Sequence, residues 1–218
     1  MCLNLPYSCP SRAVPPCLGD TMTKADLSHL IASRICHDLI NPIGAIHNGL
    51  ELMTLAQSTS TGLEFGLVQA SATDARARVE FFRLAFGGQK RGVQMDGNAL
   101  CTICAPLFSA PRYRITWSIP TSIDRTDAQI IVLALLCFEK QMPHGGDIWV
   151  SLSEIRAQPK SPRDVIAQWA HLNAPEPLDP PAASDIQFAV LPRLAAEMGI
   201  TAALEQKDDV FTLTLRLE

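Results

Sequence analysis

Eight apolar residues recur by fours and threes between positions 27 and 53: Leu27, Ile31, Ile35, Leu39, Ile43, Ile46, Leu50 and Met53. At 3.6 residues per turn they fall along one side of a single long helix. Thr23 can cap it, with Asp26 completing a box-like pairing, and the period runs to about Ala56. The polar cluster from Gln57 to Gly62 then breaks the chain. A second helix follows with two apolar stripes. One is Leu63, Leu67, Ala70, Ala77, Phe81 and Leu84, interrupted by Asp74; the other is Val68, Ala75, Val79, Phe82 and Phe86. Gly87-Gly88 ends it. Two helices joined this way have no closed core, so stripes this wide must be covered. A second hairpin, giving a two-fold four-helix bundle, or the rest of the same chain would cover them.

One histidine stands apart from the stripe of the first helix. His37 points almost directly away from its middle, and Ser33, Arg34, Asn41 and Gly44 share its face. A neutral imidazole can attack phosphorus near physiological pH. Asp38, the next residue, could hold the other ring nitrogen or act as a general base, and Arg34 could meet phosphoryl oxygens with its forked guanidinium. The bland reading is a solvated helical histidine.

Composition narrows the classes. Apolar residues make up 47% of the 218 and charged residues 18%, which suits a folded chain of one large or two modest domains. A net charge of −4 gives no hint of a nucleic-acid partner. No apolar run reaches the roughly 18 residues of a membrane span. The seven cysteines have no regular spacing and make a poor disulfide framework; Cys36, Cys101, Cys104 and Cys137 read as small buried hydrophobes. Cys101-Thr102-Ile103-Cys104 is a lone pair with no second pair to complete a zinc site. A reducing cytoplasm fits best. Residues 1–22 hold four prolines and no helical period, and read as a poorly ordered leader without the pattern of a secretory signal. Translation from Met22 is an alternative.

The second half alternates irregularly. Asp96 can cap a helix to about Phe108, Arg112 to Ile119 alternates as a strand, and Asp127 to Met142 is a strongly apolar helix. Asp147 to Ile155 and Asp164 to Ala170 read as strands, and Asn173 to Ala183 as a loop. Ser184 can cap a helix to about Met198, and strands at Thr201 to Glu205 and Val210 to Leu217 close a final hairpin. The order suggests one mixed or antiparallel sheet with helices on one face.

His37-Asp38-Leu39-Ile40-Asn41-Pro42 resembles the H-box of two-component histidine kinases, H-[E/D]-x-x-[N/T]-P, where a proline stands at this place inside the helix. The segment order after it resembles the kinase ATP-binding domain, with telling departures. The two Asn positions of the kinase apolar helix hold Leu133 and Cys137. The place of the D-x-G-x-G segment reads Val165 to His171, with neither the Asp nor a glycine, and Pro180 to Asp185, where the phosphate loop should stand, holds no glycine. Together with Arg83-Leu84-Ala85-Phe86-Gly87, this resembles the ChpT family of histidine phosphotransferases, from about Leu27 to the C-terminus.

The resemblance implies an α+β chain in three parts. Residues 1–22 are a leader. Residues 23–88 are a helical hairpin for dimerisation and phosphotransfer, forming a dimeric four-helix bundle. Residues 93–218 are a degenerate histidine-kinase ATPase-like α/β sandwich. It implies that His37 is the phosphoacceptor, with Asp38, Asn41 and Arg34 as its neighbours. It further implies phosphoryl transfer between the receiver domain of a hybrid histidine kinase and response-regulator receivers such as CtrA and CpdR. No ATP would be bound, no metal or cofactor held, and Mg²⁺ would come with the partner receiver. The alternatives are an atypical ATP-dependent histidine kinase, or a scaffold or kinase inhibitor that binds receivers without transfer.

Overall fold

A computed structural model of the chain describes residues 23–55, 62–88, 92–109, 111–173 and 181–217. The leader, the interhelix connection (56–61) and most of the proline-rich loop expected before Ser184 lie outside the described residues.

Helix α1 (Lys24–Leu55) and α2 (Gly62–Phe86) form the hairpin. The expected cap is present: the Thr23 amide and hydroxyl both donate to Asp26 Oδ2, and the Asp26 amide donates back to Thr23 Oγ1. Asp at this position closes the box as Glu would. Pro42 is buried inside α1, which runs on through it. Lacking an N–H, it gives no intrahelical bond to the Asp38 carbonyl. About two turns later the helices approach so closely that a Cβ on Gly49 would strike Val68.

The C-terminal part is built on a five-stranded sheet of order β2-β4-β5-β7-β6. Its strands are β2 (Tyr113–Ser118), β4 (Gly146–Ser151), β5 (Glu154–Pro159), β6 (Ile200–Lys207) and β7 (Val210–Leu217). β2 runs parallel to β4 and every other pairing is antiparallel. A separate two-stranded ribbon, β1 (Gln94–Asp96) with β3 (Ser122–Asp124), was not legible in the sequence. Asp96 accepts from the Asn98 amide and caps α3 (Gly97–Cys104), as expected. Asp124 does the same for α4 (Arg125–Gln141) through the Thr126 amide.

One face of the sheet is buried and one is open, which is why its strands alternate. Ile148, Val150, Ile155, Ala157 and Leu213 point inward. On the open face Arg114 pairs with Asp147 across β2 and β4, and the Arg156 guanidinium lies 5.4 Å from the Trp149 ring centre. Helix α4 has buried residues all around its circumference, including Leu133 and Cys137 at 0% exposure. It sits between the sheet and other helices, α6 (Gln187–Glu197) and the end of α2 among them.

That contact divides the apolar stripe of α2. Phe81, Phe82, Leu84 and Ala85 are buried in the same core as α4 and the sheet, so at this end the chain covers its own hairpin. Phe65, Leu67 and Val79 stay about half exposed, with Ile40, Ile43, Leu50 and Leu52 on α1. Gln129, buried on α4, donates to the carbonyls of Ala85 and Gly87 and closes the C-terminus of α2.

Several expected elements differ. Residues 147–155 are not one strand: the chain turns between β4 and β5, where Ser151 Oγ donates to the Glu154 carbonyl and accepts from its amide. Residues 164–170 are not a strand. Val165 and Trp169 are buried four residues apart, a helical spacing, and short helix α5 (Ile166–Trp169) puts the indole N–H on Gln141 Oε1. Ser184 does not cap α6. It lies in a 3₁₀ turn, Ala183–Asp185, and α6 starts at Gln187 without a side-chain cap. Cys104 and Cys137 are buried as expected, Cys101 is half-buried, and Cys36 is exposed. Among the described residues no helix is long and apolar enough to cross a membrane.

Candidate functional site

Helix α1 displays His37 with its side chain 77% exposed. Its Nδ1 lies 3.0 Å from Asp38 Oδ1. Adjacent helical residues point about 100° apart, so the two side chains meet only by leaning together. Asp38 is held from its other side, where Oδ2 lies 2.9 Å from Arg34 Nη2, one turn back along the helix. The Asp38 side chain is 14% exposed, so the carboxylate is sheltered while the imidazole is not. A proton on Nδ1 that donates to Asp38 leaves the Nε2 lone pair free for attack.

Arg34 is where expectation and structure part. It was expected on the open face beside His37, yet it is 7% exposed. Its Nη1 donates to the Ser184 carbonyl at 2.6 Å, and Nη2 lies 3.9 Å from Glu139 Oε2. At this level the helix flank is covered by the turn before α6 and the end of α4, segments that helical periodicity cannot reveal. Asn41, one turn beyond His37, is exposed as expected. A Cβ built on Gly44 would meet nothing within 4 Å, so that turn is bare.

His37, Asp38, Asn41 and Arg34 share an open groove of about 590 Å³ between the hairpin and the C-terminal part. The sequence reading missed its other walls. From α2 come Asp74 and Arg78, paired at 2.9 Å. From α4 come Glu139 and Lys140, and Lys140 lies 3.4 Å from Asp185. The signal for the first pair was present: Asp74 interrupts an apolar stripe and Arg78 stands four residues on. The positions compared with the kinase asparagines lie elsewhere. Leu133 and Cys137 are core residues, and burial pushes the Cys137 thiol well up.

The arrangement offers an exposed imidazole nitrogen, a carboxylate within hydrogen-bond distance of the other ring nitrogen, and an open groove beside them. The chain is also similar to known proteins. The model of the histidine phosphotransferase C-terminal domain matches residues 100–210. The protein phosphotransferase ChpT of Brucella abortus (strain 2308) is 32% identical over 142 residues, 64% of this chain and 67% of that protein. A solved bacterial phosphotransferase superposes with a TM-score of 0.74 at 28% identity, covering 91% of this chain and 100% of that one.

Proposed function

The chain belongs to the ChpT family of histidine phosphotransferases and is a phosphotransferase, and on that premise we propose that it relays phosphoryl groups between receiver domains through His37. The observation that carries this is the exposed imidazole whose Nδ1 is held by Asp38 at the edge of an open groove. The donor is the aspartyl phosphate of a hybrid kinase's receiver domain. Nε2 attacks phosphorus, the N–P bond forms, and the P–O bond to the donor aspartate breaks with release of its carboxylate. The proton stays on Nδ1, and the resulting cationic ring is compensated by Asp38. The same steps in reverse load the receiver of a response regulator, of the CtrA or CpdR type. This chain supplies position and a nucleophile; charge on the phosphoryl oxygens would be neutralised by Mg²⁺ brought by the partner receiver.

Two further features complete the proposal. The half-exposed apolar residues of the hairpin, Ile40, Ile43, Leu50, Phe65 and Leu67 among them, support a homodimer with a four-helix bundle. The core positions of Leu133 and Cys137 support a chain that works without ATP. The test is a reconstituted relay. A phosphorylated receiver, this chain and a second receiver should show label passing from the first to the second only when the chain is present. Receiver-to-receiver transfer that ignores the chain would reject the proposal.

A further inference from the structure

Arg34 ties together two places 150 residues apart in sequence. Nη1 donates to the Ser184 carbonyl at 2.6 Å, and Nη2 meets Asp38 Oδ2 at 2.9 Å. The other oxygen of Asp38 meets His37 Nδ1 at 3.0 Å. The Ser184 carbonyl is itself held. It accepts from Nε2 of Gln187, which is 0% exposed, and the Asp185 amide closes the turn on the Ala182 carbonyl at 2.8 Å. Arg34 Nε is buried with no hydrogen-bond partner. A buried cation with a donor left unsatisfied is a poor stabilising device, so its geometry calls for another account. The two terminal nitrogens are committed to protein oxygens on opposite sides, which only a planar fork can do at once.

We propose that Arg34 is a positioning residue for His37, registering Asp38 against the Ser184 turn and thereby deciding which imidazole nitrogen carries the proton. This deepens the function proposed above and rests on His37 as the phosphoacceptor. With Asp38 fixed, Nδ1 donates and Nε2 stays free. With Asp38 released, the carboxylate turns toward solvent and the tautomer is no longer set. The C-terminal part thus has work at the site without touching phosphate: it provides the carbonyl that places the arginine.

The test uses the ¹⁵N-labelled full chain without any receiver, at about pH 8.5, above the usual imidazole range. Long-range ¹H–¹⁵N correlation reads the tautomer of His37. Wild type should hold the proton on Nδ1. Arg34→Met fills the space without charge and should give a mixed population. Arg34→Lys keeps the charge but loses the fork, and should lie between; it carries the test if the Met chain does not fold. In transfer assays Arg34→Met should slow the reaction roughly 10²-fold, the effect of a small misplacement. Added to Asp38→Asn it should cost little more, because the two act as one unit.

A wild-type tautomer in both Arg34 variants, or full multiplication of the two losses, would overturn the proposal. If His37 were never labelled yet its tautomer followed Arg34, the positioning would stand and the functional reading would fall. If His37 were labelled while tautomer and rate ignored Arg34, the reverse would hold.

Discussion

His37 Nδ1 and Asp38 Oδ1 stand 3.0 Å apart on the solvent flank of α1, although they are neighbours in sequence. Replacing Asp38 by Asn keeps the shape and removes the charge that orients and compensates the ring. Single-turnover transfer from a phosphorylated receiver should fall roughly 10²–10⁴-fold, the span of general acid–base assistance. A wild-type rate in Asp38→Asn would contradict the role given to this contact.

Leu67 and Phe81 lie on one stripe of α2 but should behave differently. Leu67 is 57% exposed and Phe81 is 0% exposed, in the core shared with α4. Leu67→Glu should leave the fold intact and shift the chain toward monomer in sedimentation. Phe81→Ala should lose about 3–5 kcal/mol of folding stability by denaturant melt. A wild-type chain that sediments as a monomer at micromolar concentration would reject the dimer.

Millimolar Mg-ATP should leave the melting temperature unchanged. A ligand that binds only the folded state stabilises it by about 2.7 kcal/mol at a hundredfold excess over its dissociation constant. Leu133 and Cys137, which by the resemblance stand where kinases carry their two asparagines, are both inside the core. A clear upward shift would restore the ATP-dependent alternative.

Cysteine labelling checks the core independently. Burial pushes up the thiols of Cys104 and Cys137, whereas Cys36 is exposed. Since the thiolate is the nucleophile, alkylation of the native chain near pH 8 should modify Cys36 and spare Cys104 and Cys137, read by peptide mass spectrometry. Above the ordinary thiol range the unfolded chain ionises these two and the folded chain does not. Their neutral burial therefore stabilises at lower pH, and that stability is lost as pH rises. Equal modification of Cys36 and Cys137 in the native state would contradict the packing.

What the sequence revealed was what is local. Thr23 and Asp26 close their cap within three residues, and the stripe from Leu27 to Met53 sets the helix that displays His37. The H-box needed only consecutive residues to be read. What it hid depends on segments brought from afar. Arg34 looked like an exposed partner of phosphate because Ser184, 150 residues on, is invisible to helical spacing. Phe81 and Leu67 looked alike because only the placement of α4 distinguishes them. Val165 and Trp169 looked like a strand until their burial showed a spacing of four.

The central claim is tested by the site of labelling. The full chain is incubated with a receiver carrying radiolabelled aspartyl phosphate, and acid-labile phosphate is mapped on wild type, His37→Ala, His29→Ala and His47→Ala. His29 and His47 are exposed on the same helix, about 80° around it from His37, and serve as controls. The expected result is label on wild type and both controls and none on His37→Ala, whose melting temperature and receiver affinity stay unchanged. Label retained on His37→Ala, or lost only from His47→Ala, would contradict the assignment.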